Sequence, residues 1–269
     1  MSKAKLAIAL STLSLAVVAW AVPISGIAHQ RVQRLRGADV VAPIRLKDER
    51  NGLLAQGWIN GAGPFVFVID TGAGVSLVSR NVVAQARIPV TRSSRTLVGG
   101  LSTSPIASNE ETRVSGIALG QRGNNVPGSF TAAVVASLPG SIDGILDPTD
   151  VFRPYGYSVD IPNRELRVFD TAAQRLRMDE VPKDGAVVRW VREAGNDRPF
   201  VRLSDGRLAL IDTGSTLGFA LNEPGRVTGS NHSTTRDLGG GSVQSRRVAP
   251  QTVSIGTLVL NKVPTDVLT

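Results

Sequence analysis

Two aspartates in this chain sit in matching surroundings: Asp70 in Asp70-Thr71-Gly72, and Asp212 in Asp212-Thr213-Gly214. An apolar run leads into each, Phe65-Val66-Phe67-Val68-Ile69 and Leu208-Ala209-Leu210-Ile211. Small residues and then apolar ones lead out, Ala73-Gly74-Val75-Ser76-Leu77-Val78 and Ser215-Thr216-Leu217-Gly218-Phe219-Ala220-Leu221. A carboxyl at the end of each of two buried strands is what a water-activating pair of acids requires. One carboxyl must be ionised to take a proton and the other protonated to give one. One such triplet is a weak motif, but two in the same setting are specific.

Other chemistries have little to work with. The chain has 269 residues and no cysteine, which excludes disulfides, thiolate zinc sites and cysteine nucleophiles. Its two histidines, His29 and His232, exclude a multi-histidine metal site and argue against a histidine triad. His232, within Ser230-Asn231-His232-Ser233, reads as a solvated loop residue. The net charge of +8 comes mainly from scattered arginines, with no basic run interleaved with aromatics. That pattern describes a solvated surface rather than a nucleic-acid groove. Hydrophobic residues make up 42% of the chain, enough for a core.

The N-terminus reads as a targeting segment. Lys3 and Lys5 precede an apolar run from Leu6 to Ala21, and Ala19-Trp20-Ala21 has the form of a signal-peptidase site. Residues 1–28 are therefore expected to be a cleaved signal, with an uncleaved membrane anchor as the rival. Residues 29–42 follow as a linker, and no part of the fold is expected before about Val40. Either reading places the body of the chain outside the cytoplasmic membrane, periplasmic or secreted, or anchored there.

The body reads as mainly β, because long helical periodicity is absent. Strand patterns cover Pro43 to Leu46, Leu53 to Asn60, Pro64 to Ile69, Val75 to Val78, Thr112 to Leu119 and Phe130 to Leu138. They continue at Val159, Leu166 to Phe169, Val187 to Val191 and Phe200 to Leu203. Gly61-Ala62-Gly63 reads as a hairpin joint, and Asn81 to Ala86 as a short helix. Residues 171–186 read as a linker between 43–170 and 187–269.

The second part repeats the first. Gly99-Gly100 follows Asp70 much as Gly239-Gly240-Gly241 follows Asp212. Val114 to Leu119 matches Val253 to Leu258, and Asn125-Val126-Pro127 matches Lys262-Val263-Pro264. A period of about 140 residues means two related lobes rather than a solenoid. On these residues the chain resembles the aspartic proteases, and more closely the bacterial secreted, retropepsin-like proteins than pepsin. Phe67-Val68-Ile69-Asp70-Thr71-Gly72-Ala73 matches the family's active-site loop. Ile142-Asp143-Gly144-Ile145-Leu146 resembles its apolar-glycine strand, and Val159 to Leu166 its closing hairpin.

The resemblance implies an all-β acid-protease fold of two barrel-like lobes that meet at Asp70 and Asp212. It also implies a polypeptide substrate and neither metal nor cofactor. Thr71 and Thr213 would tie the two loops together, while Gly72 and Gly214 would let the backbone approach the carboxyls. Gly99, Gly100, Gly239 and Gly240 would form flaps over the substrate, and Gly144 would support the first loop. The equivalent of Gly144 in the second lobe would fall near position 286, beyond Thr269. That lobe is therefore expected to lack its last strands, and a second chain is one source for them. Ala73 faces Ser215 in the alignment, and a hydroxyl donated to the carboxylate would make Asp212 the ionised partner and Asp70 the protonated one. The competing function is a non-catalytic peptide-binding module on the same fold.

Overall fold

The computed structural model describes residues 7–11, 39–49, 52–93, 96–99, 104–173, 185–192, 197–222, 232–236 and 241–268. These residues are mostly strand, with two short helices, Arg80–Ala86 and Pro148–Val151. The fold is all-β, consistent with an acid protease. Neither main sheet closes into a barrel among the described residues, which corrects the barrel-like expectation.

The first sheet has nine strands among the described residues, and its centre carries Asp70. The strand Gly52–Ile59 turns into Ala62–Ile69 through Asn60 and Gly61, with φ of 51° and 76°. Left-handed values at both central residues make a type I′ turn, whose twist suits a hairpin and for which Asn-Gly is the favoured pair. The joint is thus one residue earlier than Gly61-Ala62-Gly63, and Ala62 and Gly63 already belong to the strand. The chain leaves the Asp70 loop as Ser76–Ser79 and enters Arg80–Ala86. Ser79 caps that helix by accepting from the Val82 N–H, and Val82, Val83 and Ala86 turn inward.

Gly144–Leu146 fills the place between the two strands that flank Asp70. It runs parallel to the incoming strand (Gly144 opposite Phe67, Leu146 opposite Ile69) and antiparallel to the outgoing one (Gly144 opposite Val78). A Cβ at Gly144 would lie 2.7 Å from the Leu77 carbonyl oxygen and from the Phe67 ring, so only glycine fits there. Phe67, Ile69, Val78 and Leu146 belong to one buried cluster with the helix residues Val82 and Val83.

The second sheet has seven strands among the described residues and its own core, which includes Val201, Ala209, Phe219, Leu221 and Val267. The incoming strand is Leu208–Asp212 and the outgoing one is Phe219–Asn222. Between them lies Ala7–Ser11, parallel to the first (Ala7 opposite Leu208, Ser11 opposite Asp212) and antiparallel to the second (Leu10 opposite Phe219). The sequence leads one to expect these residues in a targeting segment and the strand of the second half from elsewhere; in the structure they pair at this position. A short apolar run serves as well for a buried strand as for a leader, and periodicity does not separate the two.

A third, smaller sheet joins Gly156–Asp160, Glu165–Phe169 and Ile44–Arg45, and Asp39 bridges to Phe169, so part of the expected linker is structured. Thr96–Gly99 and Ser104–Ala107 form a separate two-stranded sheet, whereas Ser233–Arg236 pairs with Ser242–Ile255 at the edge of the second sheet. Val187 to Val191 is not a strand, although the Val191 N–H donates to the Phe200 carbonyl and Val188 packs on the second core. The run is apolar enough to cover a sheet without being paired into it. Among the described residues no helix is long and apolar enough to cross a membrane.

Candidate active site

The structure brings Asp70 and Asp212 into contact, 142 residues apart in sequence. Each ends a central strand and begins a loop whose N–H groups fold back on it. The Gly72 N–H donates to Asp70 Oδ1 at 2.8 Å, and the Gly214 N–H donates to Asp212 Oδ1 at 2.8 Å. The glycines are required from both directions. A Cβ at Gly72 would lie 2.6 Å from the Asp212 carboxyl carbon, and one at Gly214 would collide with the carboxyl of Asp70. Each loop therefore gives up a side chain to admit the other's acid.

Thr71 and Thr213 lock the loops together. The Thr71 N–H donates to Thr213 Oγ1 at 3.1 Å, and the Thr213 N–H donates to Thr71 Oγ1 at 3.0 Å. Each hydroxyl then donates onward across the junction, Thr71 to the Ile211 carbonyl and Thr213 to the Ile69 carbonyl, both at 2.7 Å. The two threonines are 4% and 3% exposed, so none of these groups has water as an alternative partner. Four bonds in a buried two-fold pattern fix the separation of the loops, and so of the acids.

The surroundings of the two carboxyls differ. Burial raises the Asp70 pKa well above the usual carboxylate range. The charge of Asp212 and the hydrogen bond between the two acids raise it further, and the nearby Asp147 adds to this. Burial also raises Asp212, but several groups oppose it: the bond to Asp70, the N–H groups of Gly214 and Ser215, and the positive charge of Arg198. Asp70 therefore holds the shared proton and Asp212 the charge. The expected cause was the Ser215 hydroxyl, but that oxygen accepts from the Leu217 N–H at 3.2 Å, and the Ser215 group that reaches Asp212 is its N–H. Ala73 closes the first loop with its N–H on the Asp70 carbonyl.

Two contributors escaped the sequence reading. Arg198 lies two residues before the strand Phe200–Arg202, and its guanidinium sits 5.2 Å from the Phe200 ring centre. A Cβ on Gly74 would be 3.1 Å from Arg198 Cδ, so the arginine crosses from the second half to the Asp70 loop. The adjacent Pro199 carbonyl accepts from the Ile211 N–H, which sets Arg198 beside the strand that leads into Asp212; nothing in the local sequence marks it. The other is Asp147, next to the strand that backs Asp70. Leu146 gives its carbonyl to the Asp70 N–H at 3.0 Å, and the Asp147 N–H donates to the buried Ser76 hydroxyl. Asp147 is 2% exposed, and burial pushes its pKa to about 6 despite the Thr149 N–H that it accepts.

Gly99 ends the first strand of the separate two-stranded sheet. Gly100, Gly239 and Gly240 lie outside the described residues. Among the described residues no cluster of three or more His, Cys, Asp or Glu side chains could hold a metal ion. A concavity of about 420 Å³ on the second half is lined by Arg207, Phe219 and Arg246 and touches neither aspartate. No curated protein matches the chain. A family model described as aspartyl protease matches residues 55–146, which span the Asp70 loop and the strand behind it.

Proposed function

We propose that the chain is an aspartic endopeptidase, with Asp70 and Asp212 as its catalytic residues. The observation that carries this reading is the hydrogen-bonded acid pair held by the reciprocal threonine bonds. Asp212, ionised, takes a proton from a water between the acids, and the hydroxide so formed attacks the carbonyl carbon of a peptide bond. Asp70 gives its proton to the carbonyl oxygen as the tetrahedral intermediate forms. Collapse of that intermediate delivers a proton to the leaving amine and returns the pair to its starting state. No bond forms between protein and substrate, and the site needs no cofactor. The substrate on this reading is an extended polypeptide, bound by strand addition to exposed backbone such as that of the paired strands Thr96–Gly99 and Ser104–Ala107.

Asp70→Asn and Asp212→Asn keep the shape of each side chain and remove its acid. Each is expected to lower cleavage of an unfolded protein substrate by about 10³-fold, with unchanged thermal stability or a gain from relieved repulsion. Cleavage that persists at the parent rate in both variants overturns the reading. The second reading is a non-catalytic peptide binder, favoured by the borrowed strand beside Asp212. It predicts binding of extended peptides with no cleavage in the parent at any pH between 3 and 7.

A further inference from the structure

Each half reaches the other's aspartate loop from the same place in its sheet, and only one does so with a charge. Leu54 pairs with Val68 in the first sheet as Phe200 pairs with Leu210 in the second, and each partner stands two residues before its aspartate. Two residues ahead of Leu54 is Gly52, where a Cβ would lie 3.4 Å from the Thr213 carbonyl oxygen and 3.7 Å from Gly214 Cα. Two residues ahead of Phe200 is Arg198, which lies against Gly74 and close enough to Asp212 for its charge to act there. The residue before it, Asp197, makes an ion pair between the halves: Arg153 Nη2 donates to Asp197 Oδ2 at 2.6 Å.

We propose that Arg153 is a positioning residue: its ion pair with Asp197 straps the second half to the first and holds Arg198 beside the acid pair. Arg153 is a firm post. It follows Pro148–Val151, the helix that Asp147 caps behind Asp70, and the preceding Phe152 is fully buried. Arg198 is then held on both sides. Asp197 is tied to the first half through Arg153, while the Pro199 carbonyl is tied to the second by the Ile211 N–H at 3.0 Å. The Phe200 N–H donates to the Arg198 carbonyl at 2.8 Å, which tightens the turn between the two ties. The side chains of Arg153 and Asp197 are 59% and 47% exposed, and ion pairs so placed add little to stability. What this pair supplies is a place for the next residue, because the pull of Arg198 on Asp212 falls off with distance. The other charges at the strap are Arg192, acting on Asp197, and Asp150 and Asp147, acting on Arg153; Asp212 itself faces Asp70 and Arg198. Arg192 belongs to the second half, so without Arg153 the attraction left on Asp197 comes from its own half.

The use of this strap in catalysis rests on the protease reading, but its test does not. In the full chain, the lower titration step of the acid pair is followed by NMR of the aspartate carboxyl carbons, in the parent and in Arg153→Gln, Asp197→Asn and Arg198→Gln. Loss of the strap is expected to move that step to higher pH by about 0.5 in both Arg153→Gln and Asp197→Asn, and by more in Arg198→Gln. Direct charge effects predict a different pattern. Removing the positive charge of Arg153 would raise the step, whereas removing the negative charge of Asp197 would lower it. Combined with Arg198→Gln, neither strap substitution is expected to move the step further, because both act through that arginine. Both sites are exposed enough that the variants are expected to keep the urea midpoint of the parent. Shifts of opposite sign in Arg153→Gln and Asp197→Asn, no shift in either, or shifts that add in full to that of Arg198→Gln overturn the proposal. The titration needs no turnover, so a chain that binds peptides without cleaving them would still show the strap, and an active protease could still lack it.

Discussion

The two aspartate loops share their hydrogen bonds and differ in their charges. Each has an aspartate that accepts from the glycine two residues on, and a threonine that bonds across the junction. Around that shared cradle, the first loop has a buried acid behind it, Asp147, and the second has a cation beside it, Arg198. Geometry is therefore what the repeat preserves, and the division of labour between two identical acids is set by neighbours outside the repeated triplets. Local symmetry positions the pair, and its broken electrostatic surroundings decide which member holds the proton.

The shared part can be broken most severely. Thr71→Val and Thr213→Val each strip a hydroxyl that both donates to a buried carbonyl and accepts a cross-junction N–H. Two buried groups lose their partner in each variant, at about 1–3 kcal/mol apiece. Urea denaturation is expected to show losses of about 2–5 kcal/mol, similar for the two variants. A large loss in one and none in the other would show that the loops are not equivalent supports.

Asp147→Asn tests the unequal part through stability. The folded pKa of Asp147, about 6, lies above its ordinary value of 3.8, so its contribution favours the fold below pH 4 and is lost as pH rises through 6. The shift corresponds to at most about 3 kcal/mol. Asparagine can still accept the Thr149 N–H, so the variant is expected to gain stability over the parent between pH 4 and 7. Thermal melts across that range check the trend. Removing the charge behind Asp70 also lowers the pKa of the protonated acid, moving the alkaline limb of kcat/KM to lower pH.

Arg198→Gln acts on the other limb. Without the positive charge the Asp212 pKa rises, and activity lost on acidification is lost at a higher pH than in the parent. Together the two variants should narrow the pH–rate profile from opposite sides, and movement of the same limb by both would contradict the assignment of Asp70 as acid and Asp212 as base. The smallest effect is expected from Ser215→Ala. Its N–H, which the substitution keeps, is the group that reaches Asp212, so the profile should be nearly unmoved. A clear alkaline shift of the acid limb would restore the hydroxyl to the role that the sequence suggests for it.

The duplicated triplets and the strands that lead into them could be read directly, because each leaves a local apolar pattern, whereas the apolar-glycine strand behind Asp70 was legible only through resemblance to a family motif. The helix after Ser79 was also legible as a local pattern. What escaped is nonlocal. Arg198 and Asp147 look like ordinary polar residues near strand ends, and only three-dimensional proximity to the acids gives them weight. Val187 to Val191 misled because covering a core and pairing in a sheet call for the same apolar residues.

The threonine bonds between residues 71 and 213 have a consequence for synthesis. A chain emerging from the ribosome has its first acid early, yet it possesses no competent pair until the second triplet has been made, extruded and docked. Contacts of such long sequence separation form late in folding. Whatever chemistry the acid pair performs, it cannot begin until most of the chain has been translated.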